Sequence, residues 1–171
     1  RQPMSQARKA ISKAMCMAWE SIPHVTDCND VDITAIVILR KEFKDPDQPN
    51  LKLTLLPFVL KAVCRSLKKY PILNAYFEND IIRIYNDINI GVAIDIDDGL
   101  KVYTIKNTEQ LSISSIEKSI SIGIDDYLNK SLTTDQISGS TFTITDLSSF
   151  GAINFVPLIN FNQAAILGIS C

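Results

Sequence analysis

One histidine, four cysteines and a cluster of three aspartates are the side chains in this sequence with the most chemistry to offer. His24 stands in SIPHVTDCNDVDIT, residues 21–34. A lone imidazole can serve as a general base, or it can satisfy backbone groups where a helix gives way to the next segment. With a single histidine, a histidine metal cluster cannot form within one chain. Cys16, Cys28, Cys64 and Cys171 show no Cys-x-x-Cys spacing, so neither a zinc ribbon nor a redox pair is indicated. Cys16 and Cys64 fall among apolar residues in helical windows, which suits reduced thiols in a reducing compartment. Asp95, Asp97 and Asp98 sit together in an expected turn but lack the ligand series of an EF-hand, so they read as a solvated turn, and no metal is expected. Gly-x-Gly-x-x-Gly, Walker-type Gly-Lys-Ser/Thr and Gly-x-Ser-x-Gly sequences are absent, which removes the phosphate cradles and the hydrolase elbow.

The elements that must position these groups are legible from periodicity. Residues 5–21 place Ala7, Ile11, Ala14, Met15 and Ala18 at helical spacing, with Ser5 as cap and Pro23 as stop. The alternation in VTDCNDVDI predicts a strand, and TAIVILRKEFK predicts a helix closed by the loop DPDQPN. A second long helix follows Leu51 and Leu53, with Leu56, Val59, Leu60, Val63 and Leu67 on one face and Pro57 tolerated in its first turn. Strands are expected at 81–85, 91–96 and 101–106, the last two joined by the hairpin turn DDG. A helix from about Ser112 to Leu128 carries Ile113, Ile116, Ile120, Ile124 and Leu128 toward the core. Three strands close the chain, in TFTITDL, NFVPLI and AAILGIS. Helices and strands mix without a regular βαβ repeat, which predicts an α+β fold with a mixed β-sheet flanked by helices.

The chain has 171 residues, enough for one domain with a sizeable core, and no repeat or linker suggests a boundary. Hydrophobic residues make up 46% and charged residues 21%, the balance of a globular protein rather than a disordered one. The formal charge of −2 offers no global field for nucleic acid. Basic residues concentrate in 1–70 and acidic ones in 71–171, a difference that suits a solvated surface or complementarity between subunits. The charged, amphipathic start does not read as a signal peptide, and no uncharged apolar run approaches the ~20 residues that span a bilayer. A soluble protein is expected, with neither nucleic acid nor membrane as partner.

Four separate stretches then carry a resemblance. IPHVT at 22–26 precedes VDIT, and LKLTLLPFVLKAVCRSLKKYPILNA follows at 51–75. NIGVAIDIDDGLKVYTIKN comes next at 89–107, and SGSTFTITDLSSFGAINFVPLINFNQAAILGIS at 138–170. In that order they resemble the catalytic core domain of the dihydrolipoyl acyltransferases of 2-oxo acid dehydrogenase complexes, over nearly all of residues 1–171. The resemblance implies a fold like that of chloramphenicol acetyltransferase, its C-terminal part lying beyond Cys171. It implies homotrimers that build cores of 24 or 60 subunits, with the lipoyl domain and the dehydrogenase components as partners. The implied reaction moves an acyl group between S-acyl-dihydrolipoyl, on a separate domain, and coenzyme A. The implied location is the cytoplasm, or the mitochondrial matrix in a eukaryote.

That chemistry needs a base for a thiol whose ordinary pKa is about 8.5, and a donor for the oxyanion of the tetrahedral intermediate. The family's donor hydroxyl lies in Thr-Phe-Thr-Ile-Ser-Asn. Here the stretch reads TFTITD, 141–146, which implies Thr145 as oxyanion donor and puts Asp146 where an asparagine is usual. The family's base belongs to a His-x-x-x-Asp-Gly motif beyond the Ala-Ile-Leu-Gly strand. His24 matches a different, early histidine, so it is expected to be structural, and the catalytic histidine is expected outside a chain truncated at Cys171. Arg8 matches an arginine of the first helix that by analogy helps hold the motif's aspartate. Other departures are Gly139-Ser140 for paired glycines, Phe161-Asn162 for paired prolines, and Tyr103 for a proline. Two further readings are a non-catalytic acyltransferase-like core protein serving assembly or partner binding, and a stand-alone CoA-dependent acetyltransferase of the same superfold.

Overall fold

The structure is a computed structural model that describes residues 3–43, 51–96 and 99–171. The expected loop DPDQPN and the Asp97 and Asp98 pair of the expected hairpin turn lie outside the described residues. Helix α1 (Gln6–Ser21) begins where the Ser5 hydroxyl accepts the Arg8 amide N–H at 3.3 Å, and it ends just before Pro23. Helix α2 (Thr34–Glu42) follows a turn in which Asp32 accepts the Thr34 N–H at 2.8 Å. Helix α3 (Leu56–Lys69) carries Pro57 in its first turn, where the missing N–H costs nothing. It turns Leu60, Cys64 and Leu67 into the core.

A two-stranded hairpin comes next, β1 (Ala75–Glu78) paired antiparallel with β2 (Ile81–Ile84). Its two-residue loop holds Asn79 and Asp80 at φ +50° and +62°, the left-handed pair of a tight turn whose twist matches the strands. The main sheet has four strands: β3 (Ile90–Ile96), β4 (Gly99–Ile105), β5 (Phe142–Asp146) and β6 (Ile166–Ile169), in the order β4-β3-β5-β6. β3 and β4 run antiparallel, and β3, β5 and β6 run parallel, so the sheet is mixed as expected. Helix α4 (Ile113–Leu128), capped by Ser112, carries the chain from β4 back to β5.

The core lies between one face of this sheet and helices α3 and α4. It joins Ile90, Val92 and Ile94 to Tyr103, Ile105, Phe142, Ile144, Ile116 and Ile120. On α4 the buried line runs Ile116, Ile120, Gly123 and Tyr127, whereas Ile124 and Leu128 are exposed. The face is rotated from the expected one because Tyr103 of β4 packs its ring where a Cβ on Gly123 would stand, 2.7 Å away.

Two expected strands are not formed. Residues 25–33 have the alternation but no neighbouring strand among the described residues, and Val25 and Val31 are 91% and 74% exposed. NFVPLI is likewise irregular, and Pro157 in its middle has no N–H to give a ladder. Conversely β1 was not expected, and Tyr85, placed in a strand by the sequence, follows β2 instead.

Candidate active site

The alternation of β5 decides which side chains meet which surface. Phe142 and Ile144 enter the core, so Thr143 and Thr145 project from the opposite face of the sheet. Thr145 pairs in register with Gly168 of β6. A Cβ on Gly168 would meet the Phe155 ring at 2.8 Å, so that ring lies over the glycine beside Thr145. The hydroxyl of Thr145 is half-buried and makes no hydrogen bond among the described residues. Its O–H is therefore not committed to a partner within the described chain.

Asp146 does not direct its charge at that hydroxyl. Its Oδ1 accepts the Ser148 N–H at 2.9 Å and the Ser148 Oγ–H at 2.6 Å, which ties the carboxylate to the single turn Ser148–Phe150. Thr143 is fully engaged. Its hydroxyl donates to Gln163 Oε1 at 2.8 Å and accepts from Asn160 Nδ2 at 2.9 Å. Gln163 Nε2 donates to both Ser140 O and Ser140 Oγ at 3.0 Å.

His24 joins two distant segments. Nδ1–H donates to the Ile22 carbonyl at 2.8 Å, and this fixes the tautomer in which Nε2 accepts the Ile159 N–H at 3.0 Å. The ring also lies 5.4 Å from the Trp19 ring. With both nitrogens bonded to backbone, the imidazole has no free lone pair with which to take a proton from a thiol. Arg8 is exposed on α1 and forms no ion pair among the described residues.

Gly139 takes φ +77°, and its carbonyl accepts Asn89 Nδ2–H at 3.2 Å. Asn162 takes φ +63°, a conformation closed to proline, and its carbonyl accepts the Tyr85 hydroxyl at 3.0 Å. The turn at 161–162 thus has a backbone that a proline at 162 could not reproduce. Tyr103 is buried on the α4 side of the sheet, away from Thr145, and burial raises its phenol pKa, with Asp126 adding to the shift. Asp95 is exposed, and among the described residues no three of His, Cys, Asp and Glu gather to hold a metal. No described helix is long and apolar enough to cross a membrane.

A cleft of about 560 Å³ opens between the 24–31 segment, the 153–159 segment and β6, with Phe155, Pro157 and Gly168 in its walls. Its size falls in the range of small-molecule sites. Thr145 does not line it directly, but its register partner Gly168 does. The Thr143–Asn160–Gln163 network was not read from the sequence. Its only local signal is a pair of threonines on the polar face of TFTIT, and its partners lie 17 and 20 residues away.

The family model for the 2-oxoacid dehydrogenases acyltransferase (catalytic domain) matches residues 1–171. The chain belongs to that family. Among curated relatives of this acyltransferase domain, the acetyltransferase component of the pyruvate dehydrogenase complex of Acholeplasma laidlawii is 37% identical over 169 residues, covering 97% of this chain and 31% of the relative. The succinyltransferase component of the 2-oxoglutarate dehydrogenase complex of Bacillus subtilis is 36% identical over 170 residues, covering 98% of this chain and 41% of the relative. The chain thus spans well under half the length of those relatives.

Among solved structures, a probable dihydrolipoamide acetyltransferase from Listeria monocytogenes superposes with a TM-score of 0.93 at 36% identity, covering 99% of this chain and 74% of that one. The dihydrolipoamide acetyltransferase of Azotobacter vinelandii, studied for the role of a serine, a histidine and an asparagine in its catalytic mechanism, gives 0.94 at 31% identity, with 99% and 71% covered. The cubic core of a pyruvate dehydrogenase multienzyme complex gives the same values. The α+β fold with a mixed sheet, and the family that the sequence resembles, are those of these acyltransferase cores.

Proposed function

We propose that this chain is the acyl-transferring domain of a dihydrolipoyl acyltransferase, moving an acyl group between S-acyl-dihydrolipoyl and coenzyme A in a 2-oxo acid dehydrogenase complex. The observation that carries the proposal is the unpaired Thr145 hydroxyl at the end of β5, in a chain matched to the acyltransferase family over its whole length. One thiol loses its proton to a base and its sulfur attacks the thioester carbonyl. The carbonyl oxygen takes up negative charge, and the Thr145 O–H donates to it. Collapse re-forms the carbonyl, breaks the old carbon–sulfur bond and releases the other thiol, which regains a proton from the conjugate acid of the base. One oxyanion donor of this kind typically accounts for about 2.7–4 kcal/mol of barrier.

Both nitrogens of His24 are occupied, so the base in this reading is the one that the family resemblance implies, a histidine of a His-x-x-x-Asp-Gly segment outside residues 1–171. Coenzyme A and the lipoyl group are substrates, the latter brought by a lipoyl domain. A homotrimer, repeated into a larger core that also binds the dehydrogenase components, accounts for the apolar side chains left on the surface. The cytoplasm, or the mitochondrial matrix in a eukaryote, is the compartment in which these substrates and the reduced cysteines are at home. The test is transfer from acetyl-, succinyl- and branched-chain acyl-CoA to dihydrolipoamide by the full polypeptide carrying this chain. Turnover with one of them is expected. Failure with all three would hand the lead to a non-catalytic core role.

A further inference from the structure

We infer that Gln163 and Thr143 are positioning residues for acyl transfer: they lock the 160–163 turn onto β5, so that the wall beside the Thr145 hydroxyl is held in one place. The inference rests on the reading of Thr145 as donor. Thr143 and Gln163 are 1% and 5% exposed, so their polar atoms must find partners inside the protein. The partners are unambiguous. Gln163 Nε2 has two acceptors on Ser140, which orients the amide and leaves Oε1 for the Thr143 hydroxyl. That hydroxyl, with its one proton spent on Gln163, can only accept from Asn160 Nδ2.

The lock matters because residues 153–163 form no strand of the sheet. Across 159–163, six side-chain bonds among the described residues hold the segment: His24 on the Ile159 N–H, Tyr85 on the Asn162 carbonyl, two to the Thr143 hydroxyl, and two from the Gln163 amide to Ser140. The same segment supplies Phe155, which covers Gly168 next to Thr145. The network also divides the two hydroxyls on this face of β5. Thr143 is consumed in holding the turn, and Thr145 is left to donate to the reaction.

The experiment measures kcat and KM for acyl transfer in the full polypeptide, with backbone amide exchange over 153–163 read alongside. Thr143→Val keeps shape and removes the hydroxyl, Gln163→Leu removes the amide, and Thr143→Ser returns the hydroxyl. Thr143→Val and Gln163→Leu are expected to lower kcat about tenfold or more, since small misplacements are costly in a preorganised site, with each KM within about twofold. Exchange over 153–163 rises in both, and Thr143→Ser restores both readouts. Faster exchange or lower melting with kcat per folded site unchanged would show a merely structural network and overturn the proposal. Thr145→Val, run in parallel, separates the two ideas. If it turns over like the parent, the donor reading and this proposal fall together. If it is inactive while Thr143→Val is fully active, only the proposal falls.

Discussion

The threonines at 143 and 145 differ in their partners, and at the scale of the residue partners decide role. A hydroxyl already bonded twice cannot answer to a charge that appears during a reaction, whereas an unpaired one can. His24 illustrates the same point from the opposite side, because its two ring nitrogens answer to Ile22 and Ile159. Replacing it by His24→Phe keeps an aromatic ring near Trp19 but strands a partly buried carbonyl and a partly buried N–H. A loss of about 1–3 kcal/mol is expected in denaturant unfolding, the usual penalty of such unsatisfied groups. Cys64 makes a pH prediction. Burial, with Glu109 adding, pushes its thiol up to about 11, well above the ordinary thiol range. The folded state therefore holds that proton more tightly, so the contribution to stability is full below pH 9 and fades as pH climbs from 9 toward 11. Unfolding curves measured across that window should show the decline, flattened in part by Cys64→Ala. At neutral pH, thiol titration of the native protein should leave Cys64 unreacted until denaturant is added, while exposed Cys16, Cys28 and Cys171 react.

Among the elements, the ones with strong periodicity were readable, and the ones set by distant partners were not. The spacing of α3 and the long β3–β4 pair stand out because each buries one face, and burial writes itself into the residue pattern, whereas on α4 the pattern follows the buried line only as far as Ile120. Residues 25–33 show the limit of that reading. Alternation marks a strand only if a neighbour exists to hydrogen-bond it, and that neighbour cannot be seen in nine residues of sequence. The β1–β2 hairpin is only half legible because its turn uses Asn79-Asp80 rather than a glycine pair, although both residue types tolerate the left-handed region. Only the family resemblance marks Thr145, since on its own a β-branched residue in a strand is ordinary. Gln163 carries no local mark at all, because what makes it matter is a contact 20 residues back. The rotated face of α4 yields its own test. Gly123→Ala would drive a methyl to within 2.7 Å of the Tyr103 ring, which is buried and cannot swing aside. A loss of about 1–3 kcal/mol is expected for this overpacking, measured by thermal or urea unfolding, with Gly123→Ala partly rescued by Tyr103→Leu.

Over the whole molecule, apolar side chains lie where water alone would not favour them. Phe77, Ile81, Ile82 and Ile84 are each more than half exposed and lie on both faces of the β1–β2 hairpin. A two-stranded ribbon exposed on both faces is marginal in water, so these residues are expected to be covered in the assembled protein. Light scattering on the full polypeptide should give a mass that is a multiple of three chains, and a monomer at micromolar concentration would contradict that expectation. The division of labour proposed here joins a fold that holds β5 from behind, a network that fixes the turn in front of it, and the unpaired Thr145 hydroxyl at the end of that strand. The most direct test of that claim is the turnover of Thr145→Val and Thr145→Ser in acyl transfer between acyl-CoA and dihydrolipoamide, compared with the parent polypeptide. The account predicts a kcat lower by about 10²–10³ for valine, the usual effect of losing one oxyanion donor, and within about tenfold of the parent for serine. Equal turnover of the valine variant and the parent would contradict it.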